Sequence, residues 1–234
     1  VALLAEQNAT DPYAQLTHAR MALTQARFAA AVAAAERGLA LAPDLAALKL
    51  VRAQALAGQG QTQAALTILA ELDKRGELDA EARLIYAERL LENDAEDKAD
   101  AVLQQALAAA NNDLKLLRRI ALLYLETAHY AQAAKYFQGI LAQRPDSDLA
   151  RFFLGRIAER QGEIETAQRH YRALDGRYYI EAQIRLAAIM AEQGDLATAR
   201  ARLAELRETA QEQDILVQLY LAEGEILTDR KSVV

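Results

Sequence analysis

The chain has 234 residues, 53% of them hydrophobic, a net charge of −6 and an isoelectric point of about 5.2. This acidity argues against binding to the phosphates of nucleic acids or to an anionic membrane surface. The absence of cysteine excludes disulfides, thiolate zinc sites and a cysteine nucleophile, and no apolar run approaches the roughly 20 residues of a membrane-spanning helix. Abundant alanine, leucine, glutamate and arginine, with only three prolines and ten glycines, predict an almost entirely helical chain.

The chain is predicted to begin inside a helix. Residues 1–10 lie where the end of a preceding helix is expected, because Ala2 has the phase of an apolar position in the later helices. We therefore expect a fragment of a longer protein, and a frayed N-terminal helix is the alternative. Asp11 and Pro12 predict the next helix, since aspartate caps a first turn and proline is tolerated there.

From Pro12 onwards, pairs of short helices recur with a period of about 34 residues. Each pair has a small residue on both helices, which permits the two helices to cross closely. The six predicted units are residues 12–45, 46–79, 80–113, 114–147, 148–179 and 180–213. The small position of the first helix is Ala19, Ala53, Ala87, Ala121, Gly155 and Ala187. The small position of the second helix is Ala31, Ala65, Ala99, Ala133, Ala167 and Ala199.

The stretch Asp148–Leu174 carries this pattern most clearly. Gly155 and Ala167 are the small residues of its two helices, Gly162 lies in the turn, and Tyr171 follows on the second helix. The pattern resembles the tetratricopeptide repeat (TPR), a helix-turn-helix unit of about 34 residues. The resemblance implies an all-α fold, a right-handed superhelix or α-solenoid of about six units that forms one continuous domain over residues 1–234.

Three segments depart from the regular pattern. From Glu71 to Asp100, eleven acidic residues stand against five lysines or arginines, which indicates a solvated outer face or a patch for a basic partner. Tyr178 and Tyr179 either pack a joint between units or form part of a contact surface. Residues 214–230 predict the lone first helix of a seventh unit, and this helix is a solvating cap, a cut end or a contact for another copy.

No arrangement of side chains indicates catalysis. His18, His129 and His170 lie in different units without metal-ligand spacing, the glycines form no phosphate-binding loop, and no nucleophile motif is present. Carboxylates are numerous, but none is singled out as half of an acid–base pair. We therefore expect no enzyme, no cofactor and no metal site.

The TPR resemblance implies a concave groove lined by the first helices. The residues at its groove positions form an apolar stripe with charged flanks, which suits an amphipathic or extended peptide. Packing of this stripe against the neighbouring unit is the alternative. The groove candidates are Tyr13, Leu16, Arg20, Leu50, Leu84, Lys115, Arg118, Phe152, Arg156 and Ile184. A predicted basic cluster of Lys115, Arg118, Arg119, Arg151 and Arg156 binds an acidic segment or pairs with Glu126 and Glu159.

A second resemblance concerns the chain as a whole. The runs ATDPYAQLTHARMAL and FAAAVAAAERGLALAPD, and later ALDGRYYIEAQIRLA, look like TPR lipoproteins of proteobacteria. Those are periplasmic adaptors on the outer membrane. The resemblance implies a periplasmic, outer-membrane-associated location, and a cytoplasmic location is the alternative.

These observations together predict a non-catalytic scaffold or adaptor that binds a protein or peptide in its groove. Nucleic-acid binding and insertion into a membrane are not expected. One alternative is a structural module that self-associates through the ends of its solenoid, because the end helix is rich in apolar residues. The other is the regulatory TPR part of a larger enzyme.

Overall fold

The computed structural model describes residues 10–210 and 212–228. Within these residues the protein is all-α, with thirteen helices and no strand. The prediction for residues 1–10 lies outside this range except at Thr10, as do residues 229 and 230 of the predicted terminal helix. The helices are α1 Pro12–Thr24, α2 Phe28–Leu41, α3 Ala46–Gly58, α4 Thr62–Lys74, α5 Ala80–Leu91, α6 Glu96–Ala109, α7 Leu114–Glu126, α8 Tyr130–Gln143, α9 Asp148–Arg160, α10 Ile164–Arg172, α11 Tyr179–Glu192, α12 Leu196–Thr209 and α13 Gln213–Thr228.

The described helices form six helix-turn-helix pairs, α1 with α2 through α11 with α12, followed by α13 alone. This arrangement confirms the predicted all-α class of about six pairs and a terminal helix. The chain separates into two compact units, and the boundary follows Leu116, near the start of α7. The single continuous superhelix stays a prediction.

Side-chain caps set the start of several first helices. Asp11 Oδ1 accepts a hydrogen bond from the backbone N–H of Tyr13 at 2.9 Å, and Asp79 Oδ1 accepts one from the N–H of Ala82 at 2.8 Å. Ser147 caps α9 through its hydroxyl. Each cap satisfies an amide that has no partner inside the helix, so it fixes the residue at which the pair begins.

Every pair has one left-handed residue in its turn, at the same position of the repeat. The φ angles are 55° at Ala26, 77° at Gly60, 54° at Asp94, 62° at Ala128, 77° at Gly162 and 91° at Gly194. Glycine adopts this conformation without steric cost, whereas the Cβ of alanine or aspartate is strained there. The sequence reveals this position only where it is glycine.

In the first compact unit, consecutive helices from α1 to α6 pack against one another, and α1 also packs against α3. Leu16, Ala34 and Leu48 belong to one core cluster. Gly38 allows α2 and α3 to approach, because a Cβ at this residue would lie 2.6 Å from Leu48 Cδ1. The unit is therefore held by contacts between neighbours in sequence, as expected of repeats.

The second compact unit packs consecutive helices from α8 to α13, and α11 also contacts α13. Its core is rich in aromatic rings, which bury large areas and favour offset contacts. Ring centroids lie 5.4 Å apart in the Tyr124–Tyr136 stack, 5.2 Å in Phe137–Phe153 and 4.8 Å in Phe152–Tyr178.

The small positions of the repeat are buried in both units. At Gly155 the reason is explicit, since a Cβ there would lie 2.5 Å from Cε1 of the buried Tyr171 ring. The alanines at the other small positions also have no exposed surface, namely Ala19, Ala31, Ala53, Ala65, Ala87, Ala99, Ala121, Ala133, Ala167, Ala187 and Ala199.

Candidate functional site

A small cleft of about 160 Å³ lies in the second compact unit, between the end of α7, the start of α8 and the C-terminal half of α9. It is lined by Leu125, Tyr130, Phe153, Arg156 and Arg160. Two cationic side chains thus meet three large apolar or aromatic ones. This combination can hold an apolar side chain and an acidic group of one ligand.

Helix α9 supplies three of the lining residues from one face. Phe153, Arg156 and Arg160 are spaced by three and four residues, and such residues lie above one another on a helix. Phe153 is held in place because its ring stacks on Phe137. The two arginines therefore lie on the same face of α9 as an aromatic ring that is held in place.

The turn between α7 and α8 positions Tyr130, which also lines the cleft. Ala128 adopts its left-handed conformation here, and the backbone N–H of His129 donates to the carbonyl of Tyr124 at 2.8 Å. The hydroxyl of Thr127 donates to the carbonyl of Leu123 at 2.9 Å. These bonds fix the first residue of α8.

The charges of Arg156 and Arg160 are not neutralised by ion pairs with the part of the chain that the structure describes. The nearest acidic residue along α9, Glu159, has other partners. Its Oε2 accepts a hydrogen bond from the hydroxyl of Tyr171 at 2.6 Å, and its Oε1 accepts one from Arg185 at 3.3 Å. Both arginines therefore remain available to a ligand carboxylate.

The same network changes the titration of Tyr171. Burial raises the pKa of its phenol well above the usual value, and the hydrogen bond to Glu159 raises it further. Tyr171 therefore stays a neutral donor to Glu159.

The predicted groove residues separate by exposure. Leu16, Leu84 and Phe152 are buried, and Phe152 at 5% exposure packs against Tyr178 within a core cluster. Their side chains contribute to packing, as the alternative for this stripe expected, and are not open to a partner. The exposed candidates are Tyr13, Arg20, Lys115 and Arg118, and the half-buried ones are Leu50, Arg156 and Ile184.

Arg151, a member of the predicted basic cluster, has a structural partner in its own helix start. Its guanidinium donates to the carbonyl of Pro145 at 2.5 Å, so it serves the start of α9. Arg156 instead joins Arg160, Phe153 and Tyr130 in the cleft. Phe153 and Tyr130 were not among the predicted groove residues. The sequence does contain a signal for Phe153, because Phe153, Arg156 and Arg160 lie on one face of α9, whereas Phe152 lies on another.

Many charges of the acidic stretch are paired locally. Asp73 accepts a hydrogen bond from Arg83 Nε at 2.9 Å, with both side chains largely covered. Arg75 pairs with Glu71 at 2.8 Å. Such pairs favour a structural role over an open patch for a basic partner.

Within residues 10–210 and 212–228, no group of three or more histidines or acidic residues could hold a metal ion. In the same part of the chain, no helix has the length and apolar character required to cross a membrane.

Solved helical proteins, TPR proteins among them, have a similar fold. A tetratricopeptide repeat protein from Parabacteroides merdae aligns with a TM-score of 0.61 at 17% identity, over 94% of this chain and 87% of that one. PilW, a type IV pilus biogenesis factor, gives 0.56 at 17% identity over 89% and 98%. YrrB, a TPR protein with an unusual peptide-binding site, gives 0.54 at 15% identity over 73% and 88%.

No protein-family model and no curated protein sequence matches the chain. The structural likeness at these low identities shows a common fold and leaves the function to be argued from the site. The chain has the all-α TPR fold of helix-turn-helix repeats.

Proposed function

We propose that the chain is a non-catalytic scaffold that binds a peptide or protein segment in the cleft of α7, α8 and α9. An acidic group of the ligand meets Arg156 and Arg160, and a neighbouring apolar side chain packs on Phe153. The observation that carries the proposal is a pair of guanidiniums beside an aromatic surface without carboxylate partners among the described residues. Arginine binds carboxylates with two parallel hydrogen bonds, which gives strength and orientation.

The fold supports this proposal, because helix-turn-helix solenoids offer extended surfaces for segments of other proteins. The exposed and half-buried groove candidates remain proposed contacts, each within its own compact unit. Leu16, Leu84 and Phe152 are left out of the proposed surface because they are buried.

An array of synthetic peptides tests the cleft directly. Each peptide carries one phenylalanine and one glutamate at varied spacing, and its partner peptide has glutamine in place of glutamate. We expect binding that requires the glutamate. We also expect affinity about tenfold or more weaker for the double variant Arg156→Gln/Arg160→Gln, since two charge-assisted bonds are lost.

The control is Arg169→Gln/Arg172→Gln, which removes the same charge from two exposed arginines of α10. It should bind as the wild type does, which separates a local contact from a general charge effect. Equal losses in the two double variants, or none in the cleft variant, would place the binding site elsewhere.

We further propose that this scaffold acts as an adaptor in the bacterial periplasm. The resemblance of three sequence runs to proteobacterial TPR lipoproteins supports this narrower proposal. Fractionation of the source cell with an antibody against the chain tests it. Recovery with the osmotic-shock or outer-membrane fraction is expected, and recovery with cytoplasmic markers would contradict it.

A further inference from the structure

The place that the cleft takes within the repeat is closed in the first compact unit. Phe28 and Gly58 lie three repeats before Tyr130 and Arg160, at the start of α2 and the end of α3. The Phe28 ring rests directly on α3, because a Cβ at Gly58 would lie 2.4 Å from its Cε1. In the second unit an arginine stands in place of this glycine, and the cleft is present. The cleft is therefore a feature of α7, α8 and α9 and not of every repeat.

Charges at the positions of Arg156 and Arg160 are neutralised by the chain itself in another repeat. Glu88 and Glu92 of α5 stand at these positions, two repeats earlier. Arg89 pairs with both, at 2.8 Å to Glu88 and 2.5 Å to Glu92. Arg156 and Arg160 have no such partner among the described residues. The cleft thus offers charge without a counter-charge, which favours an anionic ligand from outside the chain.

The apolar lining of the cleft continues along α7. Leu125 lines the cleft, and Leu122 and Arg118 precede it by three and seven residues, which places all three on one face of the helix. Leu122 is half-buried and Arg118 is exposed. At a rise of 1.5 Å per residue, Arg118 lies about 10 Å before Leu125 along the helix axis. This face therefore leads from the cleft to a third arginine.

Arg118 also lacks a counter-charge. Its side chain takes part in no ion pair with the part of the chain that the structure describes. Three acidic residues lie on α7 and α9. Glu126 is the last residue of α7, eight positions from Arg118, and the carboxylate of Asp148 lies beside Gly176 in the connection to α11. Glu159 is bound by side chains of α10 and α11. The face thus carries unpaired positive charge at both ends, with apolar side chains between them.

We propose that the ligand of the cleft is an extended segment of a partner protein with two acidic residues, one on each side of an apolar residue. Arg156 and Arg160 bind the first carboxylate, and Arg118 binds the second. An extended chain of the polyproline type has three residues per turn and rises about 3.1 Å per residue, so residues three apart face the same side about 9 Å from each other. This separation matches the distance along α7. The inference rests on the proposed function and adds the sequence pattern of the partner.

Peptides with a second acidic residue test this pattern. A fluorescein-labelled peptide with one glutamate and one phenylalanine that binds the cleft receives a second glutamate, two to six residues from the first and beyond the phenylalanine. Affinities are measured by fluorescence anisotropy with the full chain, against a glutamine version of each peptide. We expect affinity about threefold or more higher with the second glutamate, and highest at a separation of three, because one more charge pair forms at the surface.

The variant Arg118→Gln assigns this gain to one side chain. It should bind the two-glutamate peptide no more tightly than the one-glutamate peptide, and it should bind the latter as the wild type does. Arg118→Lys should keep most of the gain, because the charge remains. The matched control is Arg169→Gln, which removes one exposed charge from α10 and should keep the whole gain. Because Arg118 is exposed, its substitution should leave the helices intact, which circular dichroism checks.

The outcomes separate this inference from the proposed function. If one-glutamate peptides bind and Arg156→Gln/Arg160→Gln weakens them, the proposed function stands. The inference is then overturned if the second glutamate adds no affinity at any separation, or if the gain persists in Arg118→Gln. An equal loss in Arg118→Gln and Arg169→Gln also overturns it, since the gain would reflect the overall charge of the chain. If no acidic peptide binds at roughly millimolar concentration, the proposed function and the inference both fail.

Discussion

At the scale of single residues, two glycines of the second compact unit respond differently to an added methyl group. A Cβ at Gly155 would lie 2.5 Å from the rigid Tyr171 ring, whereas a Cβ at Gly139 would meet Leu117 Cδ2 at an ordinary 3.6 Å. We expect Gly155→Ala to destabilise the protein by about 1–3 kcal/mol. Gly139→Ala, inside α8, should stabilise it by about 0.5–1 kcal/mol. Urea unfolding of both variants measures the difference, and a stable Gly155→Ala variant would mean that α9 and α10 cross less closely.

The left-handed turn residues give a second prediction at this scale. Ala26 has a φ of 55°, a conformation in which its Cβ is strained by roughly 1–2 kcal/mol. Ala26→Gly should therefore raise the free energy of unfolding by about 1 kcal/mol, although glycine is more flexible in the unfolded chain. Ala33→Gly, at an exposed residue inside α2, is the control and should lower stability by about 1 kcal/mol. Loss of stability in both variants would contradict the strain at Ala26.

Protonation of His170 should make stability depend on pH. Burial lowers the pKa of His170, and the charges of Arg151 and Arg169 lower it further. In the unfolded chain the imidazole binds a proton near pH 6.5, while in the folded protein it does so only at lower pH. The unfolded state thus holds more protons in this window, and stability falls as the pH decreases through it. His170→Gln should show a smaller fall than the wild type in denaturation at pH 7.5 and pH 5, and an unchanged slope would contradict this.

At the scale of helices, Tyr171 connects three elements of the second compact unit. It lies on α10, donates to Glu159 of α9, and shares that carboxylate with Arg185 of α11. Tyr171→Phe should cost about 0.5–1.5 kcal/mol, because a half-buried carboxylate loses a hydrogen bond. The exposed Tyr179→Phe is the control, with no expected change. A double-mutant cycle with Arg185→Gln should show coupling, and strict additivity would mean that the shared carboxylate does not link the helices.

The helices could be predicted from the sequence because the same residue pattern recurs in each pair. A small residue about every 34 positions marks each crossing, and six copies outweigh the ambiguity of any single alanine. The cleft could not be predicted in the same way. Phe152 and Phe153 are neighbours in sequence, yet they point about 100° apart around α9, so one is buried while the other lines the cleft. Which face of a helix is covered depends on its neighbours, and a single repeat does not contain that information.

At the scale of the whole molecule, the prediction of self-association through the solenoid ends can be tested without a ligand. The net charge of −6 and the acidic residues of α13 oppose contact between copies. We expect light scattering to give the mass of a monomer, about 25.7 kDa, as the concentration rises at low salt. A mass that doubles with concentration at low salt would contradict this and favour the self-associating alternative.

The aromatic core of the second compact unit has a spectroscopic consequence. The chain has no tryptophan, and seven of its nine tyrosines follow Leu116, leaving only Tyr13 and Tyr86 before it. Near-ultraviolet dichroism and tyrosine fluorescence therefore report mainly on the C-terminal half, whereas far-ultraviolet dichroism reports on helices throughout. During thermal unfolding, coincident transitions would indicate one cooperative molecule, and two midpoints would indicate that the halves melt separately. The protein thus carries an intrinsic optical label for one half, and cooperativity can be measured without attaching a dye.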